Sequence, residues 1–238
     1  EMVEGRIFWD ATLPDLPPAD RRACYDAMNQ ALAQLHCIDH EAIGLADYGR
    51  PGNYFARQIA RWARQYLDDA TVAGRDPNMD RLIEWLPGNI PPGDDTSIVH
   101  GDYRIDNMIF HPTEPRVIAV LDWELSTLGH PLADFAYHLM VWRLPPVLFS
   151  GLSRADLAAL NIPGEAEYVA DYCRHTGRAG IDDLDFYVAF GMFRLAAILH
   201  GVKARLARGT AASAHASHVI AWFPIAAEAA WAQTGAIG

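Results

Sequence analysis

Residues 97–122 differ in texture from the rest of the chain. On both sides the apolar residues recur at helical spacing. Inside the segment they fall into three short β-rich runs: Ser97-Ile98-Val99-His100, Met108-Ile109-Phe110 and residues 117–121. The last two runs are separated by His111-Pro112-Thr113-Glu114-Pro115. Turn residues between two short apolar runs predict a hairpin. A chain with so little strand-forming sequence cannot build a large sheet. The fold class predicted is α+β, mainly α, with one small β-hairpin.

The flanking segments support this. Residues 1–18 read as short and extended, ending in Leu16-Pro17-Pro18. Met28, Ala31, Leu32, Leu35 and Ile38 predict a helix over residues 19–38. After a break at Gly49, Pro51 and Gly52, the stripe Tyr54, Ile59, Trp62, Tyr66, Leu67 predicts a second helix. A third spans residues 79–86, closed by Pro87-Gly88. Beyond Asp122, helices are predicted over residues 131–142, 165–175, 183–207 and 212–232. The most apolar stretch, residues 186–202, carries Arg194 and His200 and reads as a buried helix. No membrane span is expected.

Composition narrows the function classes. Of 238 residues, 51% are apolar and 21% charged, a globular balance that argues against disorder. The net charge of −11 disfavours nucleic acid and anionic membranes as partners. It suits solubility first, and a cationic substrate or metal ions second. Cys24, Cys37 and Cys173 are odd in number, widely spaced and form no CxxC pair. That argues against a disulfide framework or structural zinc and sets the expectation of a reducing cytoplasm, as does the lack of a signal-peptide pattern.

Three polar residues stand out by position. Asn107 follows Asp102 by five residues and opens the hairpin; Asp122 closes it. A hairpin brings its ends together, so Asn107 and Asp122 are expected to be neighbours, with Asp102 facing the same cleft. Two hard oxygen ligands on adjacent backbone segments suit Mg²⁺, which retains waters and shares substrate phosphates. A nearby third carboxylate can orient an acceptor hydroxyl and take its proton. Those are the parts a phosphoryl-transfer site needs. Asp and Asn in loops commonly cap turns, but here they stand in a larger ordered pattern of strand, His-Gly-Asp, Asn and hairpin.

That pattern resembles a known family. Ile98-Val99-His100-Gly101-Asp102-Tyr103-Arg104-Ile105-Asp106-Asn107-Met108-Ile109-Phe110 is similar to the catalytic loop of the aminoglycoside phosphotransferase superfamily. That loop is the counterpart of the protein-kinase H-R-D-x-x-x-x-N loop. Val120-Leu121-Asp122-Trp123-Glu124 resembles the family's metal-binding segment, and Gly129-His130-Pro131-Leu132-Ala133-Asp134-Phe135-Ala136 its G-x-P-x-x-D-[LF]-A segment. The resemblance implies Asp102 as catalytic base, with Asn107 and Asp122 as Mg²⁺ ligands. It implies that His100 braces the loop and that Asp134 anchors it. The activity implied is transfer of the γ-phosphoryl group of ATP to a hydroxyl.

Residues 3–10 and the His-Gly-Asp-Tyr-Arg-Ile-Asp-Asn loop are most similar to phosphotransferase domains associated with acyl-CoA dehydrogenases. The acceptor this implies is a hydroxylated acyl-type small molecule, with an acyl-CoA dehydrogenase as a possible partner and an aminoglycoside or other amino alcohol as the alternative substrate. Glu1-Met2-Val3 resembles the hinge whose backbone holds adenine. A kinase-like fold also needs a glycine-rich loop, a strand Lys and a helix Glu. Lys203 is the only lysine, far downstream in a helical segment. Residues 1–238 are therefore expected to be a C-terminal catalytic and acceptor-binding lobe that begins at the hinge. On that reading the N-terminal nucleotide lobe is expected to lie outside residues 1–238, and the polypeptide alone is expected to be nearly inactive.

Weaker signals remain. Arg104 is a candidate for holding an acceptor carboxylate or phosphate, with a structural salt bridge equally open. Glu124, Trp142 and Arg143 are further candidate acceptor contacts, with packing the default for the last two. His36 and His40, with Glu41 beside them, lack a third metal ligand, and His215 and His218 are discounted in the same way. Two rival functions fit the sequence less well. A metallophosphoesterase wants several metal-binding histidines at defined spacings. An inactive interaction module is at odds with the intact Asp102, Asn107 and Asp122.

Overall fold

Among the described residues only two stretches build a paired hairpin, and both are apolar runs three or four residues long. In a computed structural model that describes residues 2–210 and 220–235, β2 (Met108–Phe110) pairs antiparallel with β3 (Val117–Val120). Met108 faces Val120 and Ile109 faces Ala119; a register shift then brings Phe110 opposite Val117. The front of the chain lies along the other edge of β2. Arg6 and Phe110 exchange both backbone N–H···O bonds at 2.8 Å. A Cβ on Gly5 would lie 2.3 Å from the Phe110 carbonyl oxygen, so only glycine fits this approach. A second small sheet joins β1 (Ser97–Val99) antiparallel to β4 (Thr127–Gly129).

By its internal contacts the chain divides into two compact units, Glu1–Gly52 with Asp95–Asp182, and Asn53–Asp94 with Asp183–Gly238. The first holds both sheets and the helices α1 (Pro18–His36), α4 (Pro131–Leu139), α5 (Leu157–Leu160) and α6 (Glu165–Thr176). Pro131 occupies the first turn of α4, where a missing N–H is harmless, and the His130 ring nitrogen accepts the Leu132 N–H. Every residue of α4 is buried, because β1, the catalytic-loop candidate and the aromatic rings of α6 surround it. Phe135 stacks on Tyr172 with ring centres 3.9 Å apart.

The second unit is helical: α2 (Tyr54–Ala73), α3 (Pro77–Trp85), α7 (Leu184–Ala207) and α8 (Trp222–Thr234). Asp76 caps α3 by accepting the Asn78 and Met79 N–H groups. Helix α7 is long and apolar enough to cross a membrane, yet 83% of its most apolar window is buried within the protein, as expected of a core helix. It packs against α2 and α8. The predicted helix over 212–232 appears as α8, and its first part, with His215 and His218, lies outside the described residues.

The charge is unevenly divided. The first unit's sequence has ten basic and twenty-one acidic residues, and the second nine of each, so the whole net charge of −11 belongs to the first.

Candidate active site

After Val120 the hairpin gains one more cross-strand bond, Leu121 N–H to Asn107 O at 2.8 Å. That bond sets Asn107 and Asp122 at the same end, as the sequence predicts for a closed hairpin. Asp122 then takes a left-handed backbone, φ 63° and ψ 56°, which turns the chain out of the strand into the helical turn Trp123–Leu125. Such a conformation is strained for a residue with a side chain, and Asp and Asn tolerate it best. The Asp122 carboxylate is exposed and has no hydrogen bond or ion pair among the described residues.

The loop between β1 and β2 is fixed from behind. Asp134 Oδ2 accepts the His100 N–H at 2.6 Å, and Oδ1 accepts the Gly101 N–H at 2.9 Å. Burial alone would push the Asp134 carboxyl up, but hydrogen bonds from His36 and from these two backbone N–H groups outweigh it and hold its pKa below the usual range. His36 Nε2 lies 3.3 Å from Asp134 Oδ2, and its Nδ1 lies 2.7 Å from the Tyr172 hydroxyl. With Tyr172 donating to Nδ1, the neutral ring carries its proton on Nε2, toward the carboxylate.

His100 is fully buried and joins the loop to the hairpin. Its Nδ1 accepts the Asp102 N–H at 3.2 Å, so Nε2 bears the proton and donates to Leu121 O at 2.7 Å. Gly101 sits at φ 85°, and a Cβ there would lie 2.7 Å from the Leu125 carbonyl oxygen. Gly101→Ala is therefore expected to destabilise the protein by about 2–4 kcal/mol, combining backbone strain with a steric clash. Urea denaturation should show the midpoint fall; an unchanged midpoint would mean the loop is not tightly held. Nearby, burial drives the His138 pKa down to about 4, and that ring stays neutral with Nε2 2.7 Å from the Tyr168 hydroxyl.

Asp102 is gripped on both carboxylate oxygens. Asn107 Nδ2 donates to Oδ2 at 3.0 Å and to the Asp102 backbone oxygen at 2.9 Å. Arg104 Nε lies 3.1 Å from Oδ1, an ion pair whose N–H is not aimed at the oxygen. Arg104 also pairs with Asp106 at 3.1 Å and lies 4.8 Å over the Phe149 ring. Burial pushes the Asp106 carboxyl up, opposed by Arg104.

The donor set fits a hard divalent cation. With both amide hydrogens of Asn107 committed to Asp102, its side-chain oxygen is left without a partner among the described residues, as is the Asp122 carboxylate. Among the described residues no group of three His, Cys, Asp or Glu could hold a metal by itself. One amide oxygen and one carboxylate instead match Mg²⁺, whose shell is completed by waters and phosphates.

The remaining candidates are placed as follows. Glu124 is exposed, two residues beyond Asp122. Trp142 is buried and donates its indole N–H to Pro163 O at 2.9 Å, and Arg143 Nε bonds Glu165 at 2.9 Å. Met2 is 89% exposed and Val3 half-exposed ahead of Gly5, while Glu1 lies outside the described residues. His36 was missed as a site residue. Its helical spacing to His40 drew attention to a metal pair, whereas its partner is 98 residues away.

Over 234 residues the chain is 45% identical to mouse acyl-CoA dehydrogenase family member 10, matching 97% of this chain but only 22% of that protein. A Ralstonia eutropha protein solved as a candidate aminoglycoside phosphotransferase is 51% identical, with a TM-score of 0.94 over 99% of this chain and 72% of that one. Spectinomycin phosphotransferase, solved with ADP and spectinomycin, shares the fold alone, at 15% identity and a TM-score of 0.60 over 98% of this chain and 70% of that one. Residues 1–187, which include every part of the site just described, match the phosphotransferase enzyme family, and the chain belongs to that family, with its kinase-like, mainly helical α+β fold.

Proposed function

We propose that this chain is the catalytic and acceptor-binding lobe of an ATP-dependent, Mg²⁺-requiring kinase that phosphorylates a hydroxyl of a hydroxyacyl-type small molecule. The observation that carries the reading is the arrangement at the end of the hairpin. Asn107 spends its amide hydrogens on Asp102 and keeps its oxygen free, beside the backbone that delivers the unpaired Asp122.

In this reading Asp102 stays ionised, accepts a hydrogen bond from the acceptor hydroxyl and takes its proton during transfer. The Asn107 amide holds the carboxylate in one orientation. Asn107 and Asp122 are the residues that would hold Mg²⁺, which supplies charge neutralisation for the nucleotide phosphates. His100 and Asp134 keep the loop in register. The backbone at Glu1, Met2 and Val3 receives adenine, and Arg104 and Glu124 face the acceptor, with Trp142 and Arg143 supporting that side. Lys203 belongs to α7 and lies 5.7 Å from the Phe223 ring centre, so the phosphate-binding lysine has to come from a separate nucleotide-side lobe. The 238-residue chain alone is accordingly expected to turn over very little ATP. The acyl class of acceptor, and an acyl-CoA dehydrogenase as partner, rest on the name of the mouse relative. The three free cysteines suit a reducing compartment such as the cytoplasm.

The test is phosphoryl transfer from labelled ATP, in a form that also carries the nucleotide-side lobe, with a hydroxyacyl thioester and an aminoglycoside as parallel acceptors. Label should pass to the thioester, and chelation of Mg²⁺ should abolish it. Transfer to the aminoglycoside in its place would overturn the acceptor class.

A further inference from the structure

The turn that follows α4 walls a cavity, wholly within the first unit, that none of the phosphoryl-transfer residues lines. Its volume is about 320 Å³, at the lower end of small-molecule sites, and Asp10, Thr12, Ser150, Gly151 and Arg154 are on its wall. Backbone bonds tie the turn back on itself: Gly151 N–H to Leu148 O at 2.9 Å, Leu152 N–H to Val141 O at 2.7 Å and Ser153 N–H to Leu144 O at 3.2 Å. Leu148 and Leu152 are buried. Phe149 and Ser150 both take the left-handed backbone, each at φ 52°. Such strain costs roughly 1–3 kcal/mol for each residue and persists where the surroundings enforce it, as at ligand clamps.

The strained residues also connect the cavity to the candidate base. Ser150 is on the wall, and beside it Phe149 has the Arg104 guanidinium 4.8 Å from its ring centre. Arg104 in turn lies 3.1 Å from Asp102, so two side chains link the wall to that carboxylate.

Charge indicates what the cavity takes. Of the first unit's ten arginines, Arg154 is the one without a hydrogen bond, ion pair or ring contact among the described residues, although acids outnumber bases in that unit by twenty-one to ten. Asp10 shares the wall without pairing to Arg154, and its Oδ1 accepts the Thr12 N–H at 2.8 Å and the Thr12 hydroxyl at 2.7 Å. A guanidinium with no protein partner is matched by an oxyanion, which accepts two of its N–H bonds at once.

We propose that this cavity is the subsite for an oxyanion at the far end of the acceptor, with Arg154 as the residue that selects it. The inference rests on the kinase reading: the acceptor's hydroxyl lies at Asp102 and its anionic group at Arg154. Asp10 keeps Oδ2 for an N–H or O–H of the same molecule. The oxyanion is a carboxylate in a free hydroxy acid, or a phosphate in a thioester of coenzyme A.

Calorimetric titration of the 238-residue chain, without nucleotide, tests the subsite with three probes. These are an ω-hydroxycarboxylate, its coenzyme A thioester and its neutral N-acetylcysteamine thioester. One of the anionic probes should bind at least about tenfold more tightly than the neutral thioester, the scale of one charge-assisted hydrogen bond. Which of them binds identifies the group as carboxylate or phosphate. Arg154→Gln should erase that preference without moving the urea midpoint, since Arg154 is exposed. No preference for an anion, or a preference that survives Arg154→Gln, would overturn the subsite. The kinase reading is judged apart from it, by label transfer from ATP to the neutral thioester in the form that carries the nucleotide-side lobe. Transfer with no anion preference sinks this inference alone; anion binding through Arg154 with no transfer to any acceptor sinks the kinase reading and leaves a plain anion site.

Discussion

Asp102→Asn is expected to lower phosphoryl transfer by roughly 10²–10⁴-fold, the usual scale for a general base, while Mg²⁺·ATP binds almost as tightly as before. The substitution keeps the shape of the side chain and an oxygen for the Asn107 amide, which now bonds Oδ2 at 3.0 Å. What it removes is the proton acceptor and the negative charge opposite Arg104. Asp122→Ala should behave differently. It deletes a carboxylate that no side chain among the described residues engages. With the metal clamp reduced to one amide oxygen, both nucleotide affinity and rate should fall. Calorimetric titration of Mg²⁺·ATP beside a transfer assay separates the two, one failing in rate alone and the other in both. Wild-type turnover by Asp102→Asn would remove the base assignment and leave a likeness of loop shape only.

Asp134→Ala should be the most destabilising single change in the first unit, by about 3–5 kcal/mol, the range found when one member of a buried, hydrogen-bonded charge network is deleted. It strands the His100 and Gly101 N–H groups and the His36 ring together, all three of them buried. The pH dependence has a definite sign. The folded-state pKa is lowered, so the unfolded chain binds the proton more readily. The contribution is therefore full above the ordinary carboxylate pKa near 3.8 and is lost as pH falls through the folded value. Urea denaturation of wild type and Asp134→Asn between neutral pH and pH 3 checks this, since the amide should flatten the acid limb. A loss below about 1 kcal/mol for the alanine variant would show that the loop holds itself.

Local pattern carried much of this structure. The hairpin was legible because its strands are apolar runs flanking a Pro-rich turn, and β2 falls on the residues expected. Helices α1, α6 and α7 lie within two residues of their predicted ends. The pairing of Ser97–Val99 with Thr127–Gly129 was not legible. Three residues give no alternation to read, and Thr127-Leu128-Gly129 becomes a strand only because Val99 and its neighbours supply the partner. The predicted helix over 131–142 ends earlier, at Leu139, and tightens into the turn Met140–Trp142. In the site, positions of Asp102, Asn107 and Asp122 followed from spacing along the chain. The role of His36 did not, because it depends on α1, α4 and α6 meeting in space. A lone helical histidine looks the same in sequence whether it faces solvent or a buried carboxylate.

The bridge between Arg6 and Phe110 has a mechanical consequence. Phe110 is three residues from Asn107 in a strand already bonded to β3, and the Arg6 guanidinium further grips the carbonyls of His111 and Glu114 at 2.9 and 2.8 Å. Gly5 passes so close to the Phe110 carbonyl that a Cβ there would meet it at 2.3 Å. Residues 2–9 are thus geared to the hairpin. A displacement of the segment at Arg6 is therefore carried into β2, whose other end adjoins Asn107, the residue that holds Asp102.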